Sequence, residues 1–203
     1  ILHITNFNER FDGRLHYNTG KRINNGLIRE EHNVLNLSDR DTIHYSRSIF
    51  DATGSNMLNE KILKISNNFN PDLILLGHAD SVNVKTLLKI KEKNKHIKIS
   101  QWFIDPVNIN GPDYNNNKIR ITKKLDIIDA TFVTTDPKSI NFKINNSFFI
   151  PNPCDKSFET LYNYNHNTEY DLFFAMSHGV HKGKLKRNKH DLREKFIKEL
   201  IKK

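Results

Sequence analysis

Apolar positions along this chain fall into short runs that alternate with helical stripes. Residues 1–5, ILHIT, read as a buried strand, and a polar loop with one glycine, Gly13, follows. Residues 18–30 carry Ile23, Leu27 and Ile28 on one helical face, with Asn18 or Thr19 as the N-cap. Residues 33–38 alternate with period two, which predicts a strand. Leu58, Ile62, Ile65 and Phe69 predict a helix over 55–69, with Ser55 as a cap. The unbroken apolar run DLILLGH, 72–78, predicts a strand covered on both faces. A helix over 81–94 follows, facing inward through Val84, Leu87 and Leu88, and then a strand over 98–105. Residues 113–128 read as helix, 130–135 as strand, and 147–150 as strand.

Strands separated by helices of this length imply βαβ units and a parallel sheet. The expected fold class is therefore α/β, a Rossmann-like parallel sheet with helices on both faces, spanning residues 1–153. Residues 154–169 are polar and Asn-rich and read as a linker. From 170 a new apolar run, a glycine loop and an amphipathic helix (Leu192, Phe196, Ile197, Leu200) predict the first βα unit of a second Rossmann-like domain, 170–203. In such sheets ligands lie beyond the carboxyl ends of the strands. That rule directs attention to the loops after Thr5, Leu76, Ile104, Thr135 and Ile150.

Composition narrows the picture only a little. No stretch approaches the roughly 18 to 20 apolar residues of a membrane span, and no signal peptide is visible at the N-terminus. The single cysteine, Cys154, excludes an internal disulfide framework and fits a reducing, cytoplasmic compartment. Its bland role is packing at the end of a strand; a reactive thiol is the alternative. The formal charge of +9 admits nucleic acid, an anionic membrane surface or a phosphorylated substrate. However, lysine, asparagine and isoleucine share AT-rich codons, and codon bias explains much of that excess. Aromatic residues lie mostly inside strands rather than between basic ones, which argues against nucleic acid. No HExxH and no paired cysteines suggest a metal.

Four segments carry a family resemblance: ILHITNFNERFDG…NTGKRINNGLIREEHNVLNLS, PDLILLGHAD, DATFVTTDPKSINF…SFFIPNPCDKSFE and YDLFFAMSHGVHKGKLKRNKHDLREKFIKEL. In this order they resemble the GT-B glycosyltransferases, of the retaining family 4 type and its spore-maturation-protein-like relatives. The resemblance implies an acceptor-side domain followed by the start of a donor-binding domain. It implies transfer of a sugar from a nucleotide-sugar donor to a carbohydrate or lipid-linked acceptor, in polysaccharide or glycolipid synthesis, with no further cofactor. It also leaves room for peripheral contact with an anionic membrane. Two departures stand out. The family often has two adjacent glycines after the first strand, where this chain has only Gly13, and the acidic donor motif would lie beyond Lys203. The chain is thus expected to be an incomplete catalytic unit. The competing class is a non-catalytic flavodoxin-like α/β module that binds a protein or an anion. A response regulator is disfavoured, because no acidic pair ends the first strand.

Candidate residues follow from the strand-end rule. Gly13, Arg14, His16 and Asn18 suit an acceptor or phosphate rim at a helix start, against a plain surface loop. His16 is a candidate general base. His78 is expected to face the cleft, whereas Asp80 or Ser81 is expected to cap the next helix. Asp105, beyond a buried strand and before Pro106, is placed to accept hydrogen bonds from sugar hydroxyls, against a structural turn. Trp102 reads as core, and Asp136 as a helix cap. Asn152 and Asp155 flank a hinge that Pro-Asn-Pro turn chemistry also explains. In the basic loop 178–187, Gly179, Lys182 and Arg187 would, by the resemblance, hold the diphosphate leaving group.

Overall fold

The computed structural model describes residues 1–111, 113–167, 169–170, 173 and 192–202. The chain forms two compact units, Ile1–Thr160 and Leu161–Lys203. The first unit is a Rossmann-like α/β fold. Its strands are β1 (Leu2–Thr5), β2 (Leu35–Ser38), β3 (Leu73–Gly77), β4 (Lys98–Phe103), β5 (Ala130–Val133) and β6 (Ser147–Phe149). Its helices are α1 (Thr19–Arg29), α2 (Asp39–Ser46), α3 (Ser55–Phe69), α4 (Val84–Lys93) and α5 (Tyr114–Thr122). The strands form one sheet in the order β2-β1-β3-β4-β5-β6, and every pairing is parallel. The order reverses between β1 and β3, so the carboxyl ends of those two strands flank the switch point.

Alternation along the strands sorts the side chains to two faces. Leu2 and Ile4, Ile74 and Leu76, and Ile99 join Leu58 and Ile62 of α3 and Leu87 and Ile90 of α4 in one buried cluster. A second cluster, Phe103, Val107, Ile121 and Val133, continues the core beneath α5. The opposite face of β1 carries His3 and Thr5 and meets α1. Here the structure differs from the amphipathic pattern. Ile28 is exposed, and α1 instead buries Gly20 and Asn24. The reason is distance: a Cβ on Gly20 would lie 2.6 Å from Thr5 Cγ2, so only glycine lets the helix settle this close.

Asn18 caps α1 as expected, its side chain accepting from Lys21 N. Gly54, not Ser55, is the N-cap of α3, and the Asp51 carboxylate reaches across to accept from Met57 N at 3.1 Å. Helix α5 ends at Thr122, short of residue 128, and single turns at Leu125, Ile127 and Ile128 fill the interval. Helix α2 has no apolar stripe in the sequence. It is held instead by its acidic start, where Asp41 accepts from Glu9 N at 2.8 Å and from the Arg10 guanidinium at 2.6 Å. Cys154 is exposed, because β6 stops at Phe149 and the intervening Pro-Asn-Pro takes the chain off the sheet.

Packing of the first unit runs on to Thr160. Asp155 is buried and takes two hydrogen bonds from the Arg29 guanidinium, at 2.7 and 3.0 Å. Glu159 takes two from Arg22, at 2.8 and 2.6 Å. Both arginines belong to α1, so the segment after β6 is fastened along that helix. These contacts hold the Asp155 carboxyl well below the usual carboxylate range, the Arg29 bond contributing most. In the second unit, α6 (Leu192–Ile201) carries an i,i+4 pair, Lys195 with Glu199, at 3.9 Å. Its Phe196 and Ile201 are exposed. The expected strand over 170–177 and basic loop over 178–187 fall outside the described residues, apart from positions 170 and 173.

A buried polar chain crosses the α1 face. The Trp102 indole N–H donates to His3 Nε2 at 3.2 Å. That contact leaves the His3 proton on Nδ1, which faces Asn24 Oδ1 at 3.4 Å. Burial pushes the His3 pKa down to about 4, against a smaller opposing effect of Asn24. His3 therefore folds neutral. Its contribution to stability is complete above the unfolded pKa of about 6.5 and is lost as pH falls from there toward 4. Urea denaturation is expected to show about 3 kcal/mol lost through this group over that window. His3→Gln should flatten that part of the pH profile; an unchanged slope would contradict the assignment.

Candidate functional site

The switch point gathers its side chains because β1, β3 and β4 end very close together. A Cβ on Gly77 would stand 2.2 Å from the Trp102 ring and 2.6 Å from Thr5 Oγ1. Only a glycine closes β3 there, and the Thr5 hydroxyl donates to its carbonyl at 2.9 Å. The chain then turns sharply, with His78 in the left-handed region at φ 50°. A non-glycine residue held there stores strain, which accumulates at functional sites. The turn tucks the His78 ring against Trp102 and Phe103, with centroids 5.8 and 4.9 Å apart.

Charged residues from four elements surround this turn. Asp80 follows β3, Asp105 follows β4, Arg40 lies in the first turn of α2, and Arg120 lies on α5. Arg120 Nε is 3.4 Å from Asp80 Oδ2 and its Nη1 is 3.9 Å from Asp105 Oδ2. Arg40 approaches Asp80 at 3.9 Å, and His78 Nδ1 approaches Asp105 at 3.7 Å. None of these four contacts is a hydrogen bond. The ion pairs elsewhere in this unit are different: Arg10–Asp41, Arg22–Glu159, Arg29–Asp155 and Lys91–Asp129 all close to between 2.6 and 2.9 Å. This group at the crest of the sheet, Asp80, Asp105, Arg40, Arg120 and His78, therefore holds opposite charges together while leaving most of their donors and acceptors without a hydrogen bond among the described residues, although Arg120 Nη1 donates to Asn117 Oδ1 at 3.4 Å.

Beneath it lie two buried groups. Asp39 opens α2 and has one carboxylate oxygen without a hydrogen-bond partner among the described residues. Burial raises its pKa to about 6, against the pull of Arg40 and with a smaller push from Asp80. Lys124, a turn beyond Arg120, is also buried. Burial lowers its pKa, opposed by attraction to Asp80 and Asp39. The His78 pKa is lowered too, chiefly by burial, although Asp105 and Asp80 pull the other way. His78 Nε2 is buried and has no partner among the described residues.

Of the residues singled out in the sequence, the structure brings together His78 and Asp105. Asp80 joins them rather than capping α4. The loop takes two further turns after His78, and the N-cap is Asn83, whose N–H is held by Asn59 Oδ1 at 2.9 Å. Gly13 and His16 line a separate hollow of about 110 Å³ with Phe7, Glu9 and Lys21. The His16 ring packs on Tyr17 and Phe158 and makes none of the crest ion pairs. Arg14 is exposed, its guanidinium 5.3 Å from the Phe11 ring centroid. Asn18 spends its carboxamide on the backbone, accepting from Lys21 N and donating to Phe7 O and Leu15 O. Asn152 is exposed in the Pro-Asn-Pro turn. Gly179, Lys182 and Arg187 lie outside the described residues.

Arg40, Arg120, Asp39 and Lys124 are members that sequence reasoning missed. The loop after β2 obeys the same strand-end rule as the others, and applying the rule to Ser38 would have pointed to Asp39 and Arg40. Nothing in the sequence marks Arg120 and Lys124, which lie on the far side of β4. Among the described residues, no cluster of three or more His, Cys, Asp or Glu side chains is placed to hold a metal ion.

No protein-family model matches the chain, and no curated protein matches it in sequence.

Holding the Lys124 ammonium in this buried position opposes folding. Lys124→Met is therefore expected to raise stability by about 1 kcal/mol. Denaturant unfolding checks this, and a loss of stability would show that the ammonium is better compensated than its surroundings indicate.

Proposed function

We propose that the Ile1–Thr160 unit is the acceptor-side lobe of a glycosyltransferase and that the crest group is its sugar-binding surface. The loose pairing of carboxylates and guanidiniums carries this reading. A phosphate would meet Asp80 and Asp105 as well as the cations, and a metal ion would meet Arg40 and Arg120. A sugar hydroxyl both donates and accepts, so a polyol can bridge carboxylate to guanidinium and complete both. In this reading Asp105 accepts a hydrogen bond from the acceptor hydroxyl, and Arg120 and Arg40 donate to neighbouring oxygens. His78 positions Asp105. The hydroxyl oxygen attacks the anomeric carbon of a nucleotide-sugar, the bond from that carbon to the diphosphate breaks, and the hydroxyl proton leaves for a base. The ordered resemblance to GT-B enzymes supports the same reading, with cytoplasmic residence as its corollary. Among the described residues, no helix is long and apolar enough to cross a membrane.

One observation favours a second reading. The order β2-β1-β3-β4-β5 is the flavodoxin-like arrangement, in which an anionic ligand sits at the β1/β3 switch. A non-catalytic binding module would use the same crest.

Calorimetry and ligand-observed NMR on the 203-residue chain, with saccharides, nucleotide-sugars and free nucleotides, distinguish the two. The transferase reading expects saccharide binding that weakens about tenfold or more in Asp105→Asn and Arg120→Met, with the melting temperature kept. Binding of nucleotides or phosphate alone would favour the module. Failure of every saccharide and nucleotide-sugar to bind would overturn the transferase.

A further inference from the structure

We propose that the hollow between the C-terminal ends of α3 and α4 is a second ligand site, built for a sugar that carries one acidic group, a sugar phosphate or a uronic acid. The hollow measures about 650 Å³, within the range of small-molecule pockets. Helices α3 and α4 run back from the carboxyl ends of the strands, so it lies at the opposite end of the sheet from the crest group. The proposal does not depend on what the crest binds.

Ser66 on its lining is 8 % exposed, and its hydroxyl has no hydrogen-bond partner among the described residues. A serine within a helix can return its hydroxyl to the carbonyl four positions earlier, but this one does not. A buried hydroxyl left unbonded opposes folding, and a ligand hydroxyl would satisfy it. The two helix ends supply acceptors beside it. In a continued helix the Asn67 carbonyl would meet the N–H of residue 71, and Pro71 has none. At the end of α4, His96 N donates to Asn94 Oδ1 at 3.1 Å and not to the last turn. Ile90 and Ile97, both buried, add an apolar part to the lining. A sugar ring offers its C–H face to such a surface, and its hydroxyls both donate and accept.

The charge at the hollow is local. Lys89 and Lys95 are exposed on its lining, and neither has an ion-pair partner among the described residues. Lys93 is already held by Asn67 Oδ1 at 2.8 Å. Glu92 is the one carboxylate among the lining residues. It and the negative ends of two helices oppose a bare anion, whereas the two lysines oppose a cation. A neutral sugar would leave both ammonium groups unmatched. A hydroxylated ring with one phosphate or carboxylate answers every group: hydroxyls for Ser66 and the carbonyls, and the anion for Lys89 and Lys95.

Titration calorimetry and ligand-observed NMR on the full chain test it, with glucose 6-phosphate, glucuronate, glucose and inorganic phosphate as probes. At least one acidic sugar is expected to bind about tenfold or more tighter than glucose or phosphate, and which of the two does so decides between phosphate and carboxylate. The K89M/K95M double variant should lose about tenfold or more of that affinity, with its melting temperature kept because both side chains are exposed. Ser66→Ala should also weaken binding, and without ligand it should melt no lower than the parent, since the hydroxyl it removes has no partner. Asp105→Asn at the crest should leave this affinity unchanged. Failure of both acidic sugars to bind overturns the proposal. So does equal binding of inorganic phosphate, or unchanged affinity in K89M/K95M. Binding lost in Asp105→Asn would place the ligand at the crest and overturns it too.

Discussion

The close approach of Trp102 to the backbone of Gly77 is the contact on which the rest of the first unit depends. The indole lies where a β-carbon would otherwise be, and it also donates to His3 in the middle of the neighbouring layer. Through that pair, β4 is locked to β3 and β1 on the α1 face. The same closeness forces the chain to leave β3 through a left-handed His78. Asp80 and Asp105 then face each other across a narrow gap that Arg120 spans. A larger residue at position 77 would push Trp102 out, and with it the register of charges above.

Two kinds of ion pair divide the labour. Arg29 with Asp155, Arg22 with Glu159 and Arg10 with Asp41 are short and hydrogen-bonded, and they fasten segments distant in sequence to α1 and α2. The crest pairs are long and unsatisfied, and they fasten nothing. Burying Asp39 and Lys124 beneath them opposes folding, because each charged form loses hydration, and for Asp39 backbone hydrogen bonds offset that loss only in part.

The fold was legible to a large extent. Continuous apolar runs such as LILL and alternating ones such as VLNL fix strands whatever surrounds them, because burial on one or both faces demands that spacing. Helix α2 was not legible. Its stability comes from Asp41 meeting Glu9 and Arg10, some thirty positions earlier, and not from an apolar stripe. The buried face of α1 was misread for a related reason. Gly20 and Asn24 lie inward because Thr5 and His3 are beneath them, and hydrophobicity carries no record of that fit.

At the site, the strand-end rule was enough to reach His78 and Asp105. Both follow strands, and chain direction alone puts such residues at the ligand-binding edge. It also drew attention to Gly13 and His16, which share a separate hollow, and to Asn18, whose polar atoms serve the helix start. Arg120 and Lys124 became visible only in three dimensions. Apart from Asp105, the partners they meet in the group lie forty or more positions away in the sequence, and a single positive charge on a helix looks the same whether it faces water or a carboxylate. The sequence by itself determined the α/β layering, the parallel direction and the edge where chemistry gathers, since these depend on periodicity and chain polarity. Which charges meet at that edge, how tightly, and which are left with unused hydrogen bonds was decided by the tertiary structure, because only packing sets distances between residues that the chain keeps far apart.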